Sequence, residues 1–192
     1  MQSSLITEVV TSFGSDRASL CFPGCLQRCQ AIGDAVDVAR DIMARPHRAV
    51  SQADVIILPV NLQHLHWISA IAREMAAASL RVNFAVNYQH LHHQPQQLQQ
   101  LAQAHSLWLY DFAERETDWD QIKAFPFTGV VINHAFFADN YRKFSFPYLL
   151  EHFRDQQAEV IIRSRELPLN QVDCAALNLT GWQQQVADTL FN

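Results

Sequence analysis

Three cysteines recur at every fourth position near the start of the chain, and thiolates are strong metal ligands. Cys21, Cys25 and Cys29 could together hold a metal ion or a cluster. Their spacing is not the C-x-x-C pattern of zinc sites, and no second pair follows. Pro23-Gly24 also disfavours a helix that would stack the three thiols on one face. The alternative interpretation is a set of reduced, partly buried thiols in a cytoplasmic protein.

Histidines form a second candidate metal group. Two of them, His64 and His66, precede a predicted strand. The other three, His90, His92 and His93, follow it and lie next to a glutamine-rich run at residues 94–100. On a helix, His90 and His92 would point in different directions because residues two apart do not share a face. No carboxylate lies within the stretch to complete a site. A solvated polar loop and helix is therefore the alternative to a metal site.

Short apolar runs separated by helical patterns must position these side chains. Two runs, Leu107 to Tyr110 and Gly129 to Ile132, flank a short helical pattern at residues 114–124, as in a parallel βαβ unit with both sheet faces covered. Further helices are predicted at residues 34–44, 61–79, 146–157 and 183–191. Strands are predicted at about residues 5–10, 18–22, 53–60, 80–86, 106–111, 128–133, 158–163 and 175–180. This order predicts a compact, trimmed (β/α)8 barrel, with an open doubly wound α/β sheet as the alternative.

Composition limits the class of protein. The chain has 192 residues, 49% of them apolar, and a net charge of −5, so we expect a single domain over residues 1–192 in which residues 1–33 are hard to place. No basic stripe is present, which argues against direct nucleic-acid binding. No apolar run approaches the length of a membrane span, and no signal-peptide pattern begins the chain. We therefore expect a cytoplasmic protein.

Residues of the central βαβ unit resemble the signature of the EAL family, the bacterial cyclic-di-GMP phosphodiesterases. Tyr110-Asp111-Phe112-Ala113 lies where that family has "DDFG", Phe125-Pro126 lies at its "LP", and Val131-Ile132-Asn133 lies at its "KID". Phe136 supplies the aromatic residue that follows. The resemblance covers roughly residues 53–182, and it implies the barrel fold.

The resemblance also implies that the catalytic chemistry has been rewritten. No Glu-Ala-Leu is found, and among the family's metal ligands only an asparagine, at Asn61, and one of two aspartates, at Asp111, are kept. Val131 replaces a lysine, and Arg163 replaces a catalytic glutamate, where a cation repels a metal ion. The resemblance places the remnant active-site positions at Asn61, Phe84 (or Asn83 if the strand slips by one), Tyr110, Asp111, Val131, Asn133, Arg163, Glu166 and Thr180.

Loss of the metal ligands favours a catalytically silent EAL-like regulator that binds another protein and needs no cofactor. It looks like the degenerate EAL-like regulators of enterobacteria, which implies a transcription, motility or biofilm regulator as partner. A homodimer is also compatible with the resemblance. An aromatic-rich run at residues 135–148 is the predicted interface, through Phe136, Phe137, Tyr141, Phe144, Phe146 and Tyr148.

Two other functions are compatible with the sequence. The first is a receptor that binds cyclic-di-GMP without cleaving it, with Arg163 and Arg165 pairing with the phosphates. The second is an enzyme with a new metal site built from the histidines or cysteines described above.

Overall fold

Short strands pair in the order of the sequence and close into a barrel. The computed structural model describes residues 5–15, 17–44, 55–112 and 118–191, and within these residues eight strands form one closed barrel in which β8 also pairs with β1. This confirms the predicted barrel, and the open doubly wound sheet is excluded. The strands are β1 (Glu8–Ser12), β2 (Ala18–Cys21), β3 (Val55–Pro59), β4 (Arg81–Asn87), β5 (Ser106–Phe112), β6 (Gly129–Asn133), β7 (Glu159–Ser164) and β8 (Gly181–Gln184).

The first strand runs against all the others. β1 is antiparallel to both β2 and β8, whereas each later neighbouring pair is parallel. A tight turn containing Gly14, at φ +74°, joins β1 to β2. Glu8 begins β1 and lies opposite Cys21, the final residue of β2. The amino end of β1 therefore lies beside the carboxyl ends of the parallel strands, and the strands predicted at about residues 5–10 and 18–22 correspond to β1 and β2 of the barrel.

Helices connect the strands on the outside of the barrel. They are α1 (Ile32–Ala44), α2 (Ile68–Ala77), α3 (Tyr88–His93), α4 (Pro95–Ala104), α5 (Trp119–Ala124), α6 (His134–Asn140), α7 (Phe146–Asp155) and α8 (Gln171–Ala176), with a 3-10 helix at Leu62–Trp67 before α2. The predicted helix 61–79 is thus two helices, and Ser79 follows at φ 61°. Residues 53 and 54 of a predicted strand and 114–117 of a predicted helix lie outside the described residues. In the described parts of the chain, no helix has the length and apolar character needed to cross a membrane.

The predicted strand at 175–180 and the predicted helix at 183–191 are both wrong. Residues 171–176 are α8, and the strand begins only at Gly181. A Cβ on Gly181 would come within 2.6 Å of the Thr11 carbonyl oxygen, so glycine permits the close approach of β8 to β1. Residues 185–191 follow β8 without regular structure, and we call them the closing segment.

Side-chain alternation divides the core into two layers. The interior of the barrel is filled by Val10, Cys21, Ile57, Ala85, Trp108, Tyr110, Val131, Ile161 and Leu190. A larger layer lies between the barrel and its helices, and it contains Phe84. The ring of Phe84 packs edge-on against His105, with 6.0 Å between centroids. Because Ala85 points inward, its neighbour Phe84 points outward. The remnant position predicted at Phe84 is therefore not part of an inward-facing site.

Candidate functional site

Polar side chains meet inside the barrel at the carboxyl ends of the parallel strands, which we call the mouth. Ligands of (β/α)8 barrels bind at this end. Arg163 of β7 pairs in register with Gln183 of β8, and Glu8 of the antiparallel β1 lies at the same end. Glu8 and Gln183 are fully buried, and the Arg163 side chain is 10% exposed. The mouth therefore has a buried ionic cluster at its base.

The Glu8 carboxylate is fully engaged by protein donors. Arg163 donates to it twice, from Nε to Oε2 at 2.9 Å and from a terminal nitrogen to Oε1 at 2.7 Å. Gln183 Nε2 donates to Oε2 at 2.6 Å. The hydroxyl of Tyr110 in turn donates to Gln183 Oε1 at 2.6 Å. The cluster is a connected network in which each buried polar group has a partner.

The network sets the charge state of its members. Burial raises the pKa of the Glu8 carboxyl, but the hydrogen bond and charge of Arg163, with smaller contributions from Gln183 and Val186, outweigh it and bring the pKa below its ordinary value. Burial lowers the pKa of Arg163, and the bond and charge of Glu8 more than compensate, so that pKa is raised. Burial raises the pKa of Tyr110 well above its ordinary value. Glu8 and Arg163 are therefore a stable ion pair at neutral pH beside a neutral phenol.

The closing segment lies over this cluster and occupies part of the mouth. Glu8 Oε1 accepts the backbone N–H groups of Val186 and Ala187, at 3.0 and 2.9 Å, and Arg163 donates to the Ala187 carbonyl at 2.6 Å. Leu190 is only 3% exposed and packs with the residues of the barrel interior. Because these backbone groups bind Glu8 and Arg163, they are not available for the helix that the sequence pattern predicts.

The end of the closing segment is held by the loops around the mouth. Gly24 donates its N–H to the Leu190 carbonyl at 2.9 Å, and Asn61 Nδ2 donates to the Phe191 carbonyl at 3.2 Å. The Phe191 ring packs edge-on against His90 and Tyr110, with centroid distances of 5.8 and 6.4 Å. The chain itself thus occupies part of the space in which a barrel of this kind binds a ligand.

A cavity of about 470 Å³ remains beside the closing segment. Val131, Asn133 and Arg163 line it from the barrel, and Asn87 and His134 line its edge. Asn133 caps α6 by accepting the N–H of Ala135 at 2.7 Å. Further apolar side chains line the rest of the cavity, and Asp188 and Thr189 of the closing segment add a carboxylate and a hydroxyl, while the arginine is already paired.

Two asparagine and histidine pairs at the mouth have a structural role. The backbone N–H of Asn61 donates to His64 Nδ1 at 3.4 Å, and that of Asn87 donates to His90 Nδ1 at 3.3 Å. Each histidine is the third residue of a helix that begins after a strand. Burial lowers the pKa of both, that of His90 to about 4, so they are neutral hydrogen-bond acceptors. The repeated pattern Asn-x-Gln-His at residues 61–64 and 87–90 is the sequence signal for this capping.

The structure brings together only some of the predicted remnant positions. Asn61, Tyr110, Val131, Asn133 and Arg163 lie around the mouth. Thr180 lies at the opposite end of the barrel, where its hydroxyl accepts the N–H of Val160 at 2.8 Å. Glu166 is exposed, and Arg165 is 77% exposed and pairs with Asp188 at 3.0 Å. Asp111 belongs to β5, but its side chain lies outside the described residues.

Sequence reasoning missed the residues that matter most at the mouth, Glu8, Asn87 and Gln183. Glu8 was read as part of an apolar strand of an unplaced segment, and Gln183 as the start of a helix. The signal that was available is the unusual placement of a carboxylate directly before the apolar pair Val9-Val10 in a predicted strand.

The thiol and imidazole groups do not converge. Cys21, Cys25, Cys29 and Cys174 are buried free thiols. Burial raises the pKa of Cys25 to about 12, which removes thiolate character at neutral pH. Among residues 5–15, 17–44, 55–112 and 118–191, no three His, Cys, Asp or Glu side chains are grouped so that they could hold a metal ion. A new metal site of the predicted kind therefore has no support there.

The aromatic residues predicted as an interface divide into core and surface. Phe137 and Phe146 are buried, and Phe136 and Tyr141 pack against the core. Phe144 and Tyr148 are 85% and 60% exposed, with ring centroids 5.3 Å apart. We call these two residues, with the adjoining exposed Arg142 and Lys143, the aromatic patch.

Comparison with solved structures relates this barrel to known proteins. Neither a protein-family model nor a curated protein matches the sequence. The phosphodiesterase PaMucR in its c-di-GMP complex matches with a TM-score of 0.63 and 11% identity, over 94% of this chain and 89% of that one. The FimX EAL domain from Pseudomonas aeruginosa bound to c-di-GMP gives a TM-score of 0.66 and 12% identity, over 94% and 87%.

The chain has the fold of an EAL domain. A further EAL-fold match is Klebsiella pneumoniae BlrP1 in a manganese and c-di-GMP complex, with a TM-score of 0.66, 10% identity and coverage of 96% of this chain and 55% of that one. Identities this low establish a shared EAL fold and carry no residue roles.

Among the side chains that the structure describes, which do not include that of Asp111, those at the mouth do not form a site for a divalent cation. Hard cations require several free oxygen ligands. The Glu8 carboxylate is used by Arg163, Gln183 and the closing segment, and Val131 has no ligand atom. The Arg163 guanidinium adds a positive charge at the same place.

Proposed function

We propose that this EAL-fold chain is a catalytically silent regulator that acts by binding another protein. The observation that carries the proposal is the closing segment, which places the chain's own Leu190 and Phe191 in the mouth. Hydrolysis of a phosphodiester by this fold needs an open mouth and oxygen ligands for cations. The ion pair between Glu8 and Arg163 supports the same conclusion, since it uses a buried carboxylate that could otherwise bind a metal ion.

The aromatic patch is the surface that supports a protein partner. Exposed aromatic side chains are enriched at the centres of protein interfaces. Phe144 and Tyr148 lie in contact with each other and are flanked by two cationic side chains. Arg142 also lies over the Tyr141 ring at 5.3 Å, which holds the guanidinium at the edge of the patch. We propose an acidic partner surface, on a bacterial cytoplasmic regulator of transcription, motility or biofilm formation.

A cyclic-di-GMP receptor is the second candidate, because PaMucR, FimX and BlrP1 are described as c-di-GMP complexes. The two arginines predicted to bind the phosphates already have partners in the protein, which argues against a receptor function. Arg163 already binds Glu8 and the Ala187 carbonyl, and Arg165 is on the surface with Asp188. A nucleotide would have to displace the closing segment to reach Arg163.

The enzymatic part of the proposal is tested with cyclic-di-GMP. The purified chain is incubated with the nucleotide in Mg²⁺, in Mn²⁺ and in EDTA, and the products are separated, while calorimetry of the same mixtures measures binding. We expect neither linear product nor binding heat. Binding without cleavage would favour the receptor function. Metal-dependent cleavage would refute the proposal that the chain is catalytically silent.

The partner is tested with a patch variant. Phe144→Ser/Tyr148→Ser removes two exposed rings, and the matched control Val172→Ser changes a side chain that is 79% exposed elsewhere on the surface. We expect a protein that is retained from bacterial lysate by the wild type and by Val172→Ser and is lost with the patch variant. Equal retention by all three would contradict a role for the aromatic patch.

A further inference from the structure

A second cavity opens at the end of the barrel opposite the mouth. Its volume is about 210 Å³, and Trp108, which is 1% exposed, forms part of its inner wall. The indole lies against Gly129, where a Cβ would come 2.4 Å from Trp108 Cδ2. Glycine on β6 therefore makes room for the aromatic wall. We call this space the opposite-end cavity.

Polar side chains face this cavity. Ser19, Asn83 and Ser106 line it from the starts of three strands, and the Ser106 hydroxyl is hydrogen-bonded to that of Thr128. The indole of Trp108 lines the same cavity. A bound molecule would therefore meet hydroxyl, amide and indole groups on the inner wall.

The rim of the opposite-end cavity is cationic. Arg17, Arg81 and Glu159 all line it, which gives two positive charges and one negative charge in a chain of net charge −5. In the described residues, neither arginine has an ion-pair partner within 4 Å, although both lie within electrostatic range of Glu159. Guanidinium groups match the planar oxygens of carboxylates and the oxygens of phosphates. The rim thus carries cationic donors that no ion pair among the described residues uses.

We propose that the opposite-end cavity binds a small oxyanion, a carboxylate or phosphate group on a molecule of about amino-acid size. Arg17 and Arg81 pair with the anion, the Trp108 N–H donates to an acceptor of the ligand, and Glu159 accepts a hydroxyl or amino hydrogen from it. The volume lies below the roughly 300–1,000 Å³ of pockets for drug-sized ligands, which excludes a cyclic dinucleotide. The site is remote from the mouth and does not depend on the function proposed above.

Nuclear magnetic resonance of the four tryptophan indole groups tests this site. Inorganic phosphate and glycolate are titrated separately into the ¹⁵N-labelled full chain at constant ionic strength, with chloride as the balancing ion. We expect the indole signal of Trp108 to shift and saturate with one probe or both, while those of Trp67, Trp119 and Trp182 stay unchanged. Saturation with phosphate alone or with glycolate alone identifies which oxyanion is recognised.

Variants distinguish a specific binding site from a non-specific effect of salt. Arg17→Gln and Arg81→Gln change exposed side chains, so the fold is expected to persist. Each should weaken binding by at least about tenfold, since a charge-assisted hydrogen bond contributes about 1.5–3 kcal/mol. Arg165→Gln, at the mouth, is the matched control and should leave the titration unchanged. The absence of a saturating Trp108 shift with both probes, equal shifts of all four indoles, or equal weakening in Arg165→Gln would overturn the proposal.

Discussion

Glu8 and Arg163 form a two-pronged ion pair inside the barrel, although 155 residues separate them in the sequence. The carboxylate lies on the antiparallel β1 and the guanidinium on β7, and the two strands meet only because β8 pairs with both. The pair is buried, and it also holds the backbone of the closing segment. It therefore joins the fold of the barrel to the occupation of its mouth.

Breaking this pair should be strongly destabilising. Glu8→Gln leaves the Arg163 charge buried without a counterion, which costs about 3–5 kcal/mol in comparable buried pairs. Urea denaturation followed by circular dichroism measures the loss. Glu74→Gln is the control, because Glu74 pairs with the exposed Arg40 at 2.7 Å and its loss should hardly move the midpoint. Similar midpoints for the two variants would show that the buried pair is not a major source of stability.

Acid should destabilise the protein in two stages. His90 is neutral when folded, with a pKa of about 4 instead of 6.5, so the unfolded chain binds more protons between these values and stability falls as the pH is lowered through this window. His64 and His105, whose pKa values burial also lowers, act in the same direction. The pKa of Glu8 is lowered in the folded protein. Its contribution to the free energy of unfolding is therefore present at a pH above the ordinary carboxyl pKa, and it is lost at lower pH as the carboxylate is protonated.

Substitution of His90 isolates its share of this pH dependence. His90→Gln keeps an acceptor for the Asn87 N–H and removes the titrating ring. We expect the free energy of unfolding of the variant to change less than that of the wild type between pH 6.5 and pH 4. Parallel curves for the two proteins, from urea titrations at each pH, would be inconsistent with a buried neutral His90.

Glycine at position 129 should be necessary, whereas glycine at position 33 should not. An added Cβ at Gly129 would come 2.4 Å from Trp108, and such overpacking of a core costs typically about 1–3 kcal/mol. Gly33 lies in α1 with nothing within 4 Å of an added Cβ, so Gly33→Ala should stabilise by up to about 1 kcal/mol. Thermal unfolding of both variants provides the comparison. A Gly129→Ala protein as stable as wild type would mean that Trp108 can move aside at little cost.

The closing segment should be held in place mainly by Leu190. Burial of a leucine side chain stabilises by about 1.5–3 kcal/mol, so Leu190→Ala should speed local opening by at least about tenfold. Hydrogen exchange of the Gly24 amide, which binds the Leu190 carbonyl, reports this opening. Val186→Ala is the control, because Val186 is 62% exposed. Equal exchange rates in the two variants would argue against Leu190 as the residue that closes the mouth.

The sequence predicted the parallel part of the barrel well, for a physical reason. Strands buried on both faces appear as continuous apolar runs. The apolar runs of β5 and β6 are bounded by turn and helix patterns, which makes their assignment as strands clear. The side-chain register was harder to predict, since a shift of one residue exchanges the inward and outward faces. Phe84 was assigned to the wrong face in this way, and the inward residue at the mouth end of β4 is Asn87.

The last part of the described chain was predicted poorly because its structure depends on residues near the start. Residues 183–191 have apolar side chains at helical spacing. In the structure, however, Leu190 and Phe191 lie in the mouth and not on a helix. The backbone of this segment is satisfied by Glu8 and Arg163, and no local pattern indicates partners so distant in the chain. Local propensity was therefore overridden by tertiary hydrogen bonds.

The antiparallel first strand has a consequence for the order of events during synthesis. β1 needs β8 along one edge, and Glu8 needs Arg163, so neither is satisfied until the ribosome has released the chain beyond residue 187. A nascent chain carries an open barrel with an unpaired edge and a carboxylate that cannot yet be buried. Long-range contacts of this kind slow folding. Completion of the barrel thus waits for residues 181–187, and an arrested chain that lacks β8 should bind chaperones.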